Sequence, residues 1–257
     1  MEQVPVSRQL VFEGAANKGD NVYGNVSFKK VVVIDDFTGV TLDATNDYTV
    51  TVGGGNDAIA IDNSESGAAG GWISVLSGDV DNEACFIATP LIFDISKNPV
   101  AEARLYFAKV TETALFFGFS DAITEATPAM PIDDDAGDGD STGAAGDAAG
   151  FVIDADSATA SEIIPSWLTA AGLATHTHTT LAAVDGTTST GVLVLRVALN
   201  SSGYAQFWVN GTLVADSSAS AVALSDVPLC IIIGAATRAN GAGDKVFVDY
   251  IKYWQDR

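Results

Sequence analysis

From Val192 onward the chain alternates apolar and polar side chains with a period of two. Val192, Val194, Arg196 and Ala198 fall on one side of an extended segment and Leu193, Leu195, Val197 and Leu199 on the other, which predicts a strand. A turn at Asn200-Ser-Ser-Gly203 leads into Tyr204 to Val209, and Asn210-Gly211 joins that run to Thr212 to Ala215. Asparagine and glycine both tolerate positive φ, so this pair between two apolar runs predicts a tight hairpin. Leu229 to Gly234 is almost wholly apolar, Arg238 to Asp244 reads as a turn, and Lys245 to Tyr253 alternates again. In that last run strict alternation puts Val246, Val248, Tyr250 and Lys252 on one face and Phe247, Asp249, Ile251 and Tyr253 on the other.

Earlier segments carry the same signal. Strands are predicted at 26–34, 48–52, 58–61, 72–76, 83–88, 91–95, 101–108, 114–120 and 151–156. In the run from Ala101, the side chains of Glu102, Arg104, Tyr106 and Ala108 share a face, and a same-strand Glu102–Arg104 ion pair is expected there. A short helix interrupted by Pro165 is expected within 161–173. No stretch sustains a 3.6-residue apolar period, so the class is all-β.

The Tyr204-Ala-Gln-Phe-Trp-Val-Asn-Gly-Thr-Leu-Val214 hairpin, followed by the terminal Val248-Asp-Tyr-Ile-Lys-Tyr253 strand, resembles the concanavalin-like jelly rolls of laminin-G and glucanase type. The resemblance implies a jelly-roll β-sandwich in which Asn210-Gly211 joins adjacent strands and residues 247–253 close a large sheet. The division expected is an N-terminal arm or small β region over 1–55 and the sandwich over 56–257, with an acidic, glycine-rich loop at 128–150 exposed to solvent. The texture of the whole chain is also similar to head decoration or cement proteins of tailed bacteriophages.

Charge narrows the partners. With 33 acidic against 12 basic residues the net charge is -21, which disfavours nucleic acid and anionic membranes as partners. No apolar run reaches membrane-spanning length, and Met1-Glu-Gln-Val-Pro5 has neither a basic start nor an apolar h-region. Cys85 and Cys230 both sit in apolar runs, 145 residues apart, and are expected as buried free thiols.

Candidate chemistry is sparse. Glucanases of the concanavalin-like fold carry a Glu-x-Asp-x-x-Glu strand with two carboxylates at glycosidase spacing. The nearest counterpart here is Asp154-x-Asp156, with Glu162 too far along, and on that departure no enzyme is expected. Asp133, Asp135, Asp138 and Asp140 are weak candidates for calcium, because Gly137 stands where the EF-hand order calls for another ligand. His176 and His178 lack a third metal ligand. No metal and no cofactor are expected.

A large acidic sandwich without paired carboxylates reads first as a virion structural protein on the capsid surface, a decoration or cement subunit. It would bind the major capsid protein and itself as a homo-oligomer such as a trimer. Leu10, Val11 and Phe12 would anchor the arm on a neighbouring subunit's open sheet edge. The alternative is a carbohydrate-binding, lectin-like module that presents Trp72, Trp167, Tyr204 and Trp208 to a glycan.

Overall fold

The computed structural model describes residues 8–14, 28–38, 42, 47–54, 58–61, 71–80, 83–107, 113–122, 130–132, 145–155, 162–169, 172–175, 179–180, 192–219, 223–238 and 245–257. In chain order the strands are β1 (Arg8–Gly14), β2 (Phe28–Asp35), β3 (Thr49–Val52), β4 (Ala58–Ile61), β5 (Ile73–Leu76) and β6 (Ala84–Ala88). Then come β7 (Val100–Phe107), β8 (Thr113–Ser120), β9 (Ala148–Ile153), β10 (Glu162–Thr169), β11 (Gly172–Thr175) and β12 (Thr179–Thr180). The last five are β13 (Val192–Leu199), β14 (Ala205–Val209), β15 (Thr212–Asp216), β16 (Cys230–Thr237) and β17 (Lys245–Asp256).

Two antiparallel sheets form a sandwich. The first runs β1-β2-β17-β7-β13-β14-β15, with β5 and then β4 added beside β17; the second runs β11-β10-β9-β8-β16-β6-β3, with β12 on β10. The inward faces meet in one core. Ala101, Ala103, Leu105, Leu193, Leu195, Val197, Phe207, Val246 and Val248 come from the first sheet, and Ile87, Leu115, Phe117, Phe119, Phe151, Ile231 and Ile233 from the second. Edge-on ring pairs such as Phe93–Phe119 at 5.5 Å and Phe151–Phe207 at 5.4 Å fill this space. Each fully buried phenylalanine stabilises the fold by about 1.5–3 kcal/mol relative to an exposed one.

The Asn210-Gly211 hairpin forms as expected. Both residues have positive φ, 49° and 80°, as a two-residue turn between twisted strands requires. Asn210 also accepts a hydrogen bond from the backbone N–H of Val194 at 2.9 Å, tying the hairpin to β13.

Several expectations are corrected. The predicted helix within 161–173 is the strand β10, because Ile163 and Trp167 face the core while Ile164 and Leu168 face outward, a two-residue period that Pro165 does not interrupt. The predicted strand at 91–95 reduces to one bridge, Phe93 with Leu229, followed by a 3-10 turn at Ile95–Lys97 capped by Asp94. In β17 a bulge at Asp249 breaks the alternation: Phe247 pairs with Tyr106 and Tyr250 with Arg104, so Phe247, Tyr250 and Lys252 share the outward face and Ile251 and Tyr253 turn inward.

The described strands of the first 55 residues are built into both sheets. β2 pairs with β17, and β3 pairs with β6. Leu10, Val11 and Phe12 lie on β1, whose backbone pairs with Val33, Val32 and Val31 of the same chain, so this segment is an edge strand of the first sheet. Parts of the 128–150 loop are also buried. Met130, Ile132 and Ala145 cover Phe86, Phe116, Val152 and Ile232 on the outer face of the second sheet. Gly150 leaves the room needed there, since a Cβ at this position would stand 2.6 Å from the Phe116 ring.

Candidate functional site

The outer faces of the two sheets differ in kind. That of the second sheet is apolar and covered by residues of the 128–150 loop. The outer face of the first carries half-buried aromatic and charged side chains from β5 to β14, and it is the candidate site.

Cross-strand register builds it. Trp208 on β14 stands beside Arg196 on β13, Arg196 beside Glu102 on β7, and Glu102 beside Lys252 on β17. Glu102 is 6% exposed and accepts hydrogen bonds on Oε2 from Arg196 Nε at 2.7 Å and from Nη2, while Oε1 accepts from the Tyr250 hydroxyl at 3.0 Å. Burial first, and then the neighbouring Glu102 charge, push the Tyr250 phenol up to about 12, so it stays a neutral donor. The Arg196 guanidinium lies between two indoles, 5.9 Å from the Trp208 ring and 5.6 Å from that of Trp254.

A second group adjoins it. Arg104 on β7 donates to Asp249, the bulge residue of β17, and sits 5.8 Å from the Trp72 ring. Trp72 precedes β5 and meets Tyr106 edge-on at 6.5 Å. Glu102 and Arg104 thus share a face as expected, but each pairs with another strand and not with its neighbour two residues away.

At the far end Gln206 donates to Asp216 at 2.7 Å. That bond and the Ser218 backbone N–H hold the Asp216 carboxyl below its ordinary value. The result is a strip of aromatic planes and clamped hydrogen-bonding groups, the surface chemistry that suits a ligand with apolar faces and many hydroxyls.

Two of the expected glycan-contact residues, Trp72 and Trp208, lie on this strip. Tyr204 is half-buried in the turn before β14, its backbone N–H donating to Asn200 Oδ1 at 3.1 Å. Trp167 does not belong there: it is 3% exposed and stacks on Phe207 in the core at 5.8 Å, so it presents no surface to a ligand. Trp254 and Tyr250 were missed because strict alternation through residue 249 assigns both to the face of Val246 and Val248, and Arg196 was missed because its partner Glu102 lies 94 residues away in sequence. Asp133, Asp135, Asp138, Asp140, Asp156, His176 and His178 lie outside the described residues. Asp154 is fully buried and held by the Arg238 guanidinium at 3.0 and 2.6 Å. Among the described residues no group of three or more acidic, histidine or cysteine side chains is placed to hold a metal ion. Both cysteines are buried free thiols, as expected.

No protein-family model matches the chain, and no curated protein does. Solved structures do share its fold. A protein of unknown function from Shewanella oneidensis MR-1 has a TM-score of 0.60 at 13% identity over 89% of this chain and 87% of that one. An endo-β-1,3-glucanase from Pyrococcus furiosus has a TM-score of 0.57 at 14% identity, over 87% and 93%. The laminarinase catalytic domain from Thermotoga maritima MSB8 has a TM-score of 0.55 at 12% identity, over 87% and 97%.

The fold is therefore the jelly-roll β-sandwich of the concanavalin-like type, shared with glucanases and laminarinases. The expectation that the protein is not an enzyme is corrected by the same finding, since this architecture carries glycoside hydrolysis in those structures. Lack of a Glu-x-Asp-x-x-Glu strand does not exclude an enzyme. The likeness to phage decoration proteins gains no support from these neighbours.

Proposed function

We propose that the protein acts on carbohydrate as a lectin-like binding module, through the outer face of the first sheet. The observation that carries this reading is the strip itself, with Trp72, Trp208 and Trp254 half-buried on one sheet face and Arg–carboxylate pairs filling the gaps between them. Pyranose rings have apolar C–H faces that pack on indole planes, and hydroxyl edges that meet fixed donors and acceptors. Trp254 already takes Arg196 and Lys252 against its ring, so Trp72 and Trp208, each met by one arginine, are the platforms.

The fold agrees with this reading, because the named glucanase neighbours act on β-1,3-glucan. A β-1,3-glucan is therefore the first probe. In affinity electrophoresis through gel containing the polysaccharide, the protein is retarded, and Trp72→Ala with Trp208→Ala restores free migration. Migration unaffected by β-1,3-glucan and by a panel of other plant, algal and mucin polysaccharides would overturn the proposal. Release of reducing sugar during the same incubation would instead show that binding leads to hydrolysis.

A further inference from the structure

We infer that the strip receives an internal stretch of an uncharged polysaccharide laid across the strands, and that the arginine–carboxylate pairs set this choice by cancelling the charge of the surface. The inference rests on the carbohydrate reading above and adds the ligand's charge, length and direction.

Direction and length follow from register. Trp208, Arg196, Glu102 and Lys252 stand side by side on the successive strands β14, β13, β7 and β17, and Trp72 leads into β5 on the far side of β17. Four strand intervals of about 4.8 Å, with Trp72 set about two to three residues along the strands from the level of Lys252, make a strip roughly 20 Å long that runs obliquely across the strands and is long enough for about four sugar rings. Its two tryptophan platforms lie toward opposite ends. A single sugar reaches one of them and a chain reaches both, so affinity accrues with length.

Charge follows from the pairings. Arginine on a sugar-binding surface would ordinarily attract carboxylate or sulfate groups through its fork of donors. Here Arg104 is bound to Asp249 and Arg196 to Glu102, so each guanidinium enters the surface already neutralised. Arg196 bonds through Nε and Nη2, which leaves the Nη1 protons for a neutral acceptor such as a hydroxyl. Among the described residues of the strip, Lys252 is the cation without a carboxylate partner, and it lies 5.0 Å from the Trp254 ring. An anionic chain would meet one such cation on a protein of net charge -21.

The test is calorimetric titration of the full chain with β-1,3-gluco-oligosaccharides of one to six units and with a sulfated form of the longest. Each is measured at about 0.05 and 0.5 M NaCl, where the screening length falls severalfold. We expect no measurable binding of glucose and a rise of roughly tenfold or more in affinity between two and four units, levelling off beyond four. Neutral binding should be independent of salt, and the sulfated chain should bind more weakly at low salt. Equal affinity for one and six units would overturn the inference while leaving carbohydrate binding in place. So would tighter binding of the sulfated chain that salt then weakens. Binding of the neutral chain undiminished by Trp72→Ala and Trp208→Ala would move the site elsewhere, and absence of binding by every probe would remove the underlying reading as well.

Discussion

Replacing Asp154 by alanine should destabilise the protein more than most single substitutions. The carboxylate is fully buried, and Arg238, only 5% exposed, holds it with two parallel hydrogen bonds. Arginine does not shed its proton inside a protein, so Asp154→Ala takes a countercharge and two hydrogen bonds away from a guanidinium that stays charged and buried. Breaking a buried pair from one side costs about 3–5 kcal/mol, a large part of the 5–15 kcal/mol that holds a typical domain together. At about 2–4 °C of melting temperature per kcal/mol for a chain of this size, the loss is on the order of 10 °C. Urea unfolding followed by tryptophan fluorescence measures it as a lower midpoint at unchanged slope. A cost below about 1 kcal/mol for this change would refute the reasoning.

Other outcomes follow from local geometry. Gly211 has φ near 80° and no atom within 4 Å of where a Cβ would stand, so Gly211→Val should cost about 1–2 kcal/mol through backbone strain alone, read as the shift in urea midpoint. The Asp216 carboxyl is held below 3.8 by Gln206 and Ser218, so its contribution is present at pH above 3.8 and is lost as pH falls through the lower folded value. Asp216→Asn should therefore be less stable than the parent at neutral pH and converge with it in acid, as followed by thermal melts across that range. Burial pushes the Cys230 thiol up to about 12, and Cys85 is buried too, so neither should react with a thiol reagent at pH 8 until the protein unfolds.

The fold was legible where the two-residue period ran unbroken. β7, β8, β13, β14 and β16 lie close to their expected positions, and the hairpin at Asn210 has the backbone its residues permit. The pattern misled where one residue altered the phase. Asp249 bulges out of β17, and the outward face then carries Tyr250 and Lys252, a shift that depends on how β7 pairs with β17 and is invisible to alternation alone. Pro165 invited a helix break in what is a strand, because propensity cannot weigh the burial of Ile163 and Trp167 on one side of the chain. The candidate site was half legible: a tryptophan's type says it is large and amphipathic, but only the sandwich separates Trp208 on the outer face from Trp167 beneath it. Likewise Glu102 and Arg104 were read as one pair because their partners, Arg196 and Asp249, are 94 and 145 residues away in sequence.

The central claim is that the outer face of the first sheet binds carbohydrate, and the four tryptophans allow it to be tested in one spectrum. Each indole N–H gives its own signal in a nitrogen-labelled sample, with Trp72, Trp208 and Trp254 on the strip and Trp167 in the core as an internal control. On titration with a β-1,3-gluco-oligosaccharide the account predicts that the Trp72 and Trp208 signals move with a common saturation curve while Trp167 stays fixed. A saturable ligand that leaves Trp72 and Trp208 unmoved would contradict it.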